Sequence, residues 1–196
     1  KNLKTHFGQL IESTRFFSTP AIPRTVIIRP NAEEEKLSTE DQTKFRSGVG
    51  MLLYLVKHSR PDIANAVREL SKVADGATEA HWKALLRVIK YVLSTENYGL
   101  EIKPTLKENF YMEGISDSEY AVDKDTRISV YGYILYFCGA PIAWKSKGGK
   151  SVTLSSTEAE YVASSEIEKE AIFVKHLMDS IGIKIELPIT IRVDNV

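Results

Sequence analysis

Three acidic residues stand where a carboxylate needs a reason. Asp117 follows the alternating run YMEGIS, and Asp194 follows the apolar run ITIRV. Glu160 lies in LSSTEAEYVASSEIEKEAIF, on what should be the apolar face of a helix. Stepping from it by four and three meets Ser164, Ile167, Ala171, Val174, Met178 and Ile181, one continuous stripe. If the strands ending in Asp117 and Asp194 are parallel neighbours, their C-terminal ends lie side by side, where α/β sheets place their sites. Glu160 then faces the sheet near the same ends. Clustered carboxylates repel one another unless a cation neutralises them. Hard oxygen ligands suit Mg²⁺, with Mn²⁺ as a substitute, and two such ions form the clamp used in phosphoryl transfer. Each acid also has an ordinary explanation. Thr157 with Glu160 has the spacing of a capping box, acids favour helix N-termini, and Asp-Asn is common turn chemistry. The convergence of all three is what favours a metal.

The elements that must position these acids are read from periodicity. NFYMEGISD alternates, VYGYILYFCG is aromatic and β-branched, and APIAWKSK and SVTLSS follow, with Gly139-Ala140 and Gly148-Gly149 suited to antiparallel turns. A helix over 156–181 comes next, and then the strand LPITIRVDN. The order is three antiparallel strands, a helix, and a strand parallel to the first. That is an α/β mixed sheet with helices. Ahead of it, three amphipathic helices are expected: about 42–57, one starting at SRPD with Pro61 and Asp62 in its first turn, and ATEAHWKALLRVIKYVLST. Residues 1–40 read as irregular, a tail or linker around one short strand, TVIIR. The segments are therefore 1–40, 41–104 and 105–196.

Twenty-six basic residues balance twenty-six acidic ones among 196, and 43% are hydrophobic, as in an ordinary globular protein. Zero net charge does not exclude nucleic acid, because a local basic stripe binds phosphates. Lys145, Lys147 and Lys150 surround Gly148-Gly149 as a basic turn, and Lys83, Arg87 and Lys90 form a stripe on the third helix. Both are candidates for gripping a nucleic-acid backbone, and both also read as solvated surface. Ser155 and Ser156 suit a helix cap, and equally a phosphate at the helix N-terminus. Cys138 is the only cysteine, so no intrachain disulfide forms; in its apolar strand it reads as a small core residue, and it weakly favours a reducing compartment. The four histidines show no metal spacing. No run is long enough to cross a membrane, and the opening residues do not read as a signal peptide. ITIRVDNV stops where a strand should turn, which suggests a longer parent.

The motifs then resemble a family. FRSGVGMLLYL, SRPDIANAVRELSKV, HWKALLRVIKYV with YGL, ISDSEYAVDKDTR, GYILYFCGAPIAWKSKGGKSVTLSSTEAEY and PITIRVDN are similar, in this order, to copia-type LTR retrotransposon polyproteins. The resemblance covers nearly the whole chain. It implies the end of a reverse transcriptase, from palm and thumb through thumb or connection, followed by an RNase H-like domain truncated at its C-terminus. It implies Mg²⁺-dependent hydrolysis of the RNA strand of RNA–DNA hybrids, with Asp117, Glu160 and Asp194 matching three metal-binding carboxylates and Glu160 near a ribose 2′-hydroxyl. It implies as partners the hybrid and other parts of the Pol polyprotein, and as location a cytoplasmic virus-like particle or the nucleus. The chain departs from the family at Glu119-Tyr120, where an aspartate and usually Trp stand, and at RISVYGY. The family's fourth carboxylate falls beyond Val196, and no Tyr-x-Asp-Asp occurs, so polymerisation is not expected. Two other readings stay open: an inactive nucleic-acid-binding or structural remnant, and another RNase H-like nuclease such as an integrase core, against which the flanking helices argue.

Overall fold

The computed structural model describes residues 2–11, 17–23, 25–105, 109–123 and 126–193. The chain forms two units, Lys1–Gly99 and Leu100–Val196.

The first unit is helical: α1 (Asn2–Ile11), α2 (Thr39–His58), a 3₁₀ turn at Pro61–Ile63 continuing into α3 (Ala64–Ser71), and α4 (Glu79–Ser94). The three expected helices are present, and a fourth, α1, occupies part of the segment read as irregular. It is helical because Phe7, 2% exposed, docks in the core. A Cβ at Gly48 would lie 2.9 Å from Phe7 Cζ, so glycine makes room for that ring against α2. Conversely, TVIIR is not a strand. Among the described residues of this unit no strand pairs it, and side chains take its polar groups instead: Ile27 N donates to Glu69 Oε2 at 3.2 Å, and His81 Nε2 meets Ile28 O at 3.1 Å. His81 Nδ1 accepts from Thr78 N at 3.0 Å, closing the start of α4. Phe45, Leu52, Ile63, Leu70, Leu85 and Ile89 fill the core.

The SRPD motif is a clasp within this unit. Arg60, 4% exposed, donates to Asp62 Oδ1 at 2.9 Å and Oδ2 at 2.8 Å. It also donates to Thr95 O at 3.1 Å and Oγ1 at 2.7 Å. One guanidinium therefore satisfies the C-terminal end of α4 and holds it to the turn before α3. Tyr91 Oη completes the clasp by donating to Asp62 Oδ2 at 2.9 Å.

The second unit is a four-stranded mixed sheet with one helix. β1 (Met112–Glu119), β2 (Val130–Phe137) and β3 (Ala140–Gly148) are antiparallel neighbours, and β4 (Thr190–Val193) pairs parallel to β1, giving the order β3-β2-β1-β4. This is the RNase H-like mixed sheet the pattern called for. α5 (Ser156–Ser180) covers one face. Two local expectations need correction. Cys138 is buried, but in the β2–β3 turn rather than in a strand. It has φ +49° and Gly139 φ +80°, so the two-residue turn is Cys138-Gly139 and Ala140 already belongs to β3. SVTLSS is not a strand either. After β3 the chain bonds back through Gly149 N to Ser129 O at 2.8 Å and through the Ser129–Thr153 hydroxyl pair at 2.6 Å, then enters α5.

Alternation assigns the two faces of the sheet. Met112, Gly114, Ser116 and Ser118 of β1 align with Phe137, Leu135, Tyr133 and Tyr131 of β2 on the α5 side. Ile167, Ala171 and Val174 of α5 pack there with Met112, Tyr133 and Leu135. A Cβ at Gly114 would collide with Ile167 Cδ1, so this glycine sets how closely α5 approaches. No helix among the described residues is long and apolar enough to cross a membrane.

Candidate active site at the end of β1 and the start of α5

The start of α5 is fixed by its own sequence. Ser155 is the N-cap, its Oγ accepting from Glu158 N at 3.1 Å, while Glu158 Oε2 accepts from Leu154 N at 2.6 Å. Capping therefore falls to Ser155 and Glu158, not to Thr157 with Glu160. The signal was in the sequence, because Ser155 and Glu158 have capping-box spacing. This frees Glu160 from a structural explanation at the helix start.

Glu160 turns to the sheet, as its place in the stripe implies. It is 6% exposed, and its Oε1 accepts from Ser118 Oγ at 2.7 Å and from Ser118 N at 3.3 Å. Its Oε2 is buried and has no hydrogen-bond partner among the described residues. Ser116 Oγ, on the same face of β1, is in the same condition. A buried carboxylate oxygen left unpaired costs free energy unless something completes it. Neither serine was singled out from the sequence, although SDSE places two small hydroxyl residues at alternate positions around Asp117.

Asp117 is exposed and lies one residue from Glu160's anchor. It is level with Gly132 of β2. Alternation sends its side chain to the face opposite α5, with Glu113 and Ile115, whereas Glu160 reaches β1 from the α5 face, so the two carboxylates stand on opposite faces of the sheet. Asp194 lies outside the described residues. The last residue of β4, Val193, is level with Ser116. Among the described residues no three His, Cys, Asp or Glu side chains form a group able to hold a metal. By kind, Glu160 Oε2 and the Asp117 carboxylate fit a hard divalent cation, and the orphaned Oε2 is the specific feature such an ion would satisfy.

The basic residues separate into groups. Lys145 and Lys147 are inside β3 rather than in a turn, in register with Tyr133 and Tyr131 on the α5 side. Lys145 reaches Glu166 of α5 at 3.7 Å, and Lys169 reaches it at 3.0 Å. The hydrogen bond from Lys169, followed by the lysine charges, holds the Glu166 carboxyl below the usual range despite some burial. Lys150 lies beyond the strand and lines a shallow cleft with Ser118, Ser129, Tyr131 and Thr153 beside the first turn of α5. Within the helical unit, Lys83 is exposed and pairs with Glu79 at 3.7 Å. Arg87 stacks over Phe17, 4.2 Å from the ring centre, and donates to Thr19 Oγ1 at 3.1 Å. It is thus engaged inside its own unit, and Lys90 is half-buried.

No protein-family model matches the chain, and no solved structure matches it. Curated relatives do. The chain is 38% identical over 186 residues to the retrovirus-related Pol polyprotein from transposon RE1 of Arabidopsis thaliana, covering 91% of this chain and 12% of that protein. It is 39% identical over 158 residues to the corresponding polyprotein from transposon RE2, covering 80% of this chain and 10% of that protein. It is also 42% identical over 130 residues to secreted RxLR effector protein 161 of Plasmopara viticola, covering 66% of this chain and 90% of the effector. The chain is thus a small fraction of either polyprotein's length. Read with the ordered motifs and the β3-β2-β1-β4 sheet, these likenesses place the chain in the family of copia-type, retrovirus-related Pol polyproteins.

Proposed function

We propose that the chain carries the RNase H portion of such a polyprotein and, within its parent, hydrolyses the RNA strand of RNA–DNA hybrids. One observation carries this reading: a buried carboxylate, Glu160, held by Ser118 at the end of β1 with its second oxygen unpaired. Asp117, Glu160 and Asp194 would hold Mg²⁺ or Mn²⁺. When bound, such ions acidify water and stabilise a leaving oxygen in phosphodiester hydrolysis. The chain's own residues do the positioning. Ser118 fixes the rotamer of Glu160 and leaves Oε2 for the ion. Lys145, Lys147 and Lys150, with the Ser155 and Ser156 hydroxyls at the start of α5, supply sequence-independent contacts to phosphates. Lys83, Lys90 and, more weakly because it is already engaged, Arg87 add charge in the helical unit. The partners are the hybrid and other parts of Pol, and the setting is intracellular, in a cytoplasmic virus-like particle or the nucleus.

The test is Mn²⁺ calorimetry on the wild type, Asp117→Asn and Glu160→Gln, with and without a short RNA–DNA hybrid. Binding that the hybrid tightens and that both substitutions abolish supports the reading. Binding unaffected by either substitution refutes it. A second reading is a non-catalytic nucleic-acid-binding or structural remnant. It is favoured by the opposite faces of Asp117 and Glu160 and by the likeness to a secreted effector over 90% of the effector's length. It expects no Mn²⁺ binding at all.

A further inference from the structure

One flank of α5 carries an apolar row that is left largely in water. From Glu166, steps of four, three, four and four meet Glu170, Phe173, Leu177 and Ile181. The sheet holds the first two: Lys145 reaches Glu166 at 3.7 Å, and Tyr133 Oη donates to Glu170 at 3.1 Å. The other three have no such cover. Phe173 is 64% exposed, Leu177 49% and Ile181 63%. The flank faces β3, which ends the sheet on that side, so no further strand covers it among the described residues. Single apolar side chains on a surface need no explanation, but three in one unbroken helical row mark a surface for packing.

We propose that this row is where a second copy of the chain docks, α5 against α5 in antiparallel orientation about a twofold axis. A row repeating every four residues packs beside the same row of another helix. With the axis at the level of Lys175, Phe173 meets Leu177 of the second copy and Leu177 meets its Phe173, the reciprocal contact a twofold axis requires. The charges select the direction. Residues 165–170 hold Glu166, Glu168 and Glu170 against Lys169, whereas residues 171–184 hold Lys175, His176 and Lys184 against Asp179. Antiparallel pairing lays each acidic half on a basic half, and parallel pairing lays like on like. About the same axis, Ile181 falls on the aliphatic stem of Lys169 and the exposed Lys184 comes to the Glu166 end. Glu160 is thirteen residues from Phe173, about 20 Å along the helix, so the pairing leaves the candidate active site clear. The proposal therefore does not rest on the nuclease reading.

The experiment is sedimentation equilibrium of the full chain over roughly 5–500 µM, with melting temperature recorded at the lowest concentration. Three side chains from each copy make a small interface, so the wild type is expected to dimerise with a Kd on the order of 50 µM. Phe173→Glu and Leu177→Lys should each weaken association at least about 10-fold. Mixed in equal amounts they should recover it, because one contact becomes Glu against Lys while the other keeps Leu177 against Phe173. Ile172→Glu, an equally exposed apolar position on the opposite flank of α5, should change nothing. Lys184→Glu should weaken association about 3-fold, by setting acid against acid. A wild type that is monomeric throughout overturns the proposal and leaves the row to a different partner. Loss in Ile172→Glu equal to that in Phe173→Glu overturns it by showing unspecific association. Absence of recovery in the mixture overturns the antiparallel contact. A lower melting temperature in either single variant also overturns it, by showing that the row packs within the chain. Mn²⁺ affinity should be the same in Phe173→Glu and the wild type, so either reading can fail without the other.

Discussion

Glu160→Gln separates a functional carboxylate from a structural one, because the two roles predict opposite signs. Glu160 is 6% exposed, with Oε1 held by Ser118 and Oε2 buried without a partner. Glutamine keeps an acceptor for Ser118 and removes a charged oxygen from a site where leaving it unpaired costs a few kcal/mol. It introduces an amide group whose own lack of a partner costs about 1–2 kcal/mol. The metal-free variant should therefore be at least as stable as the wild type, by about 1 kcal/mol. Mn²⁺ at a hundredfold excess over its Kd should stabilise the wild type by about 2.7 kcal/mol and the variant by nothing, so the order of stabilities reverses when the ion is added. Urea unfolding measures this directly. The chain has two tryptophans; in a Trp82→Phe background, Trp144 in β3 reports on the sheet unit alone. A metal-free variant destabilised by more than about 2 kcal/mol refutes the reasoning and makes Glu160 a core hydrogen-bonding residue. Equal stabilisation of both proteins by Mn²⁺ refutes it too, by locating the ion elsewhere.

Two further outcomes follow from the packing. Gly114→Val should cost about 2 kcal/mol of the sheet unit's stability, because its side chain meets Ile167 and pushes α5 from β1; a urea midpoint equal to the wild type's contradicts the close approach. Asp62→Asn should cost the helical unit about 1.5 kcal/mol at pH 7, discounted for the partial exposure of Asp62, since it leaves the buried Arg60 without its carboxylate. Burial pushes the Asp62 carboxyl up, but hydrogen bonds from Arg60 and Tyr91 outweigh it and hold it below its ordinary range. A depressed folded value means the contribution is complete above about pH 4 and disappears as pH falls through the folded value. The wild-type advantage in urea should accordingly shrink by pH 3, and a difference that persists there rules out the ion pair as its source.

Much of this molecule is written locally. The stripe from Glu160 to Met178 announces α5 and the face it buries, because a helix repeats every 3.6 residues whatever surrounds it. The alternation in β1 and the aromatic and β-branched run of β2 are of the same kind. Even the cap of α5 was legible in Ser155 and Glu158, two residues from the pair that drew attention. What escaped reading depended on partners distant in sequence. α1 exists because Phe7 finds a cavity opened by Gly48, and TVIIR remains unpaired because the groups that meet it, Glu69 and His81, are side chains of helices. Lys145 looked like part of a turn because its ion pair with Glu166 lies about twenty residues further on.

The sequence alone set the order of strands and helix in the sheet unit and, through ordered motifs, the family. These depend on residue type and short-range period. Only the tertiary structure decided which face Asp117 occupies. A strand's side chains change face at every residue, so the direction of Asp117 follows from the register of β1 against β2 and α5, which no local pattern encodes. The same register brings Ser118 under Glu160, whose Oε2 stays unpaired.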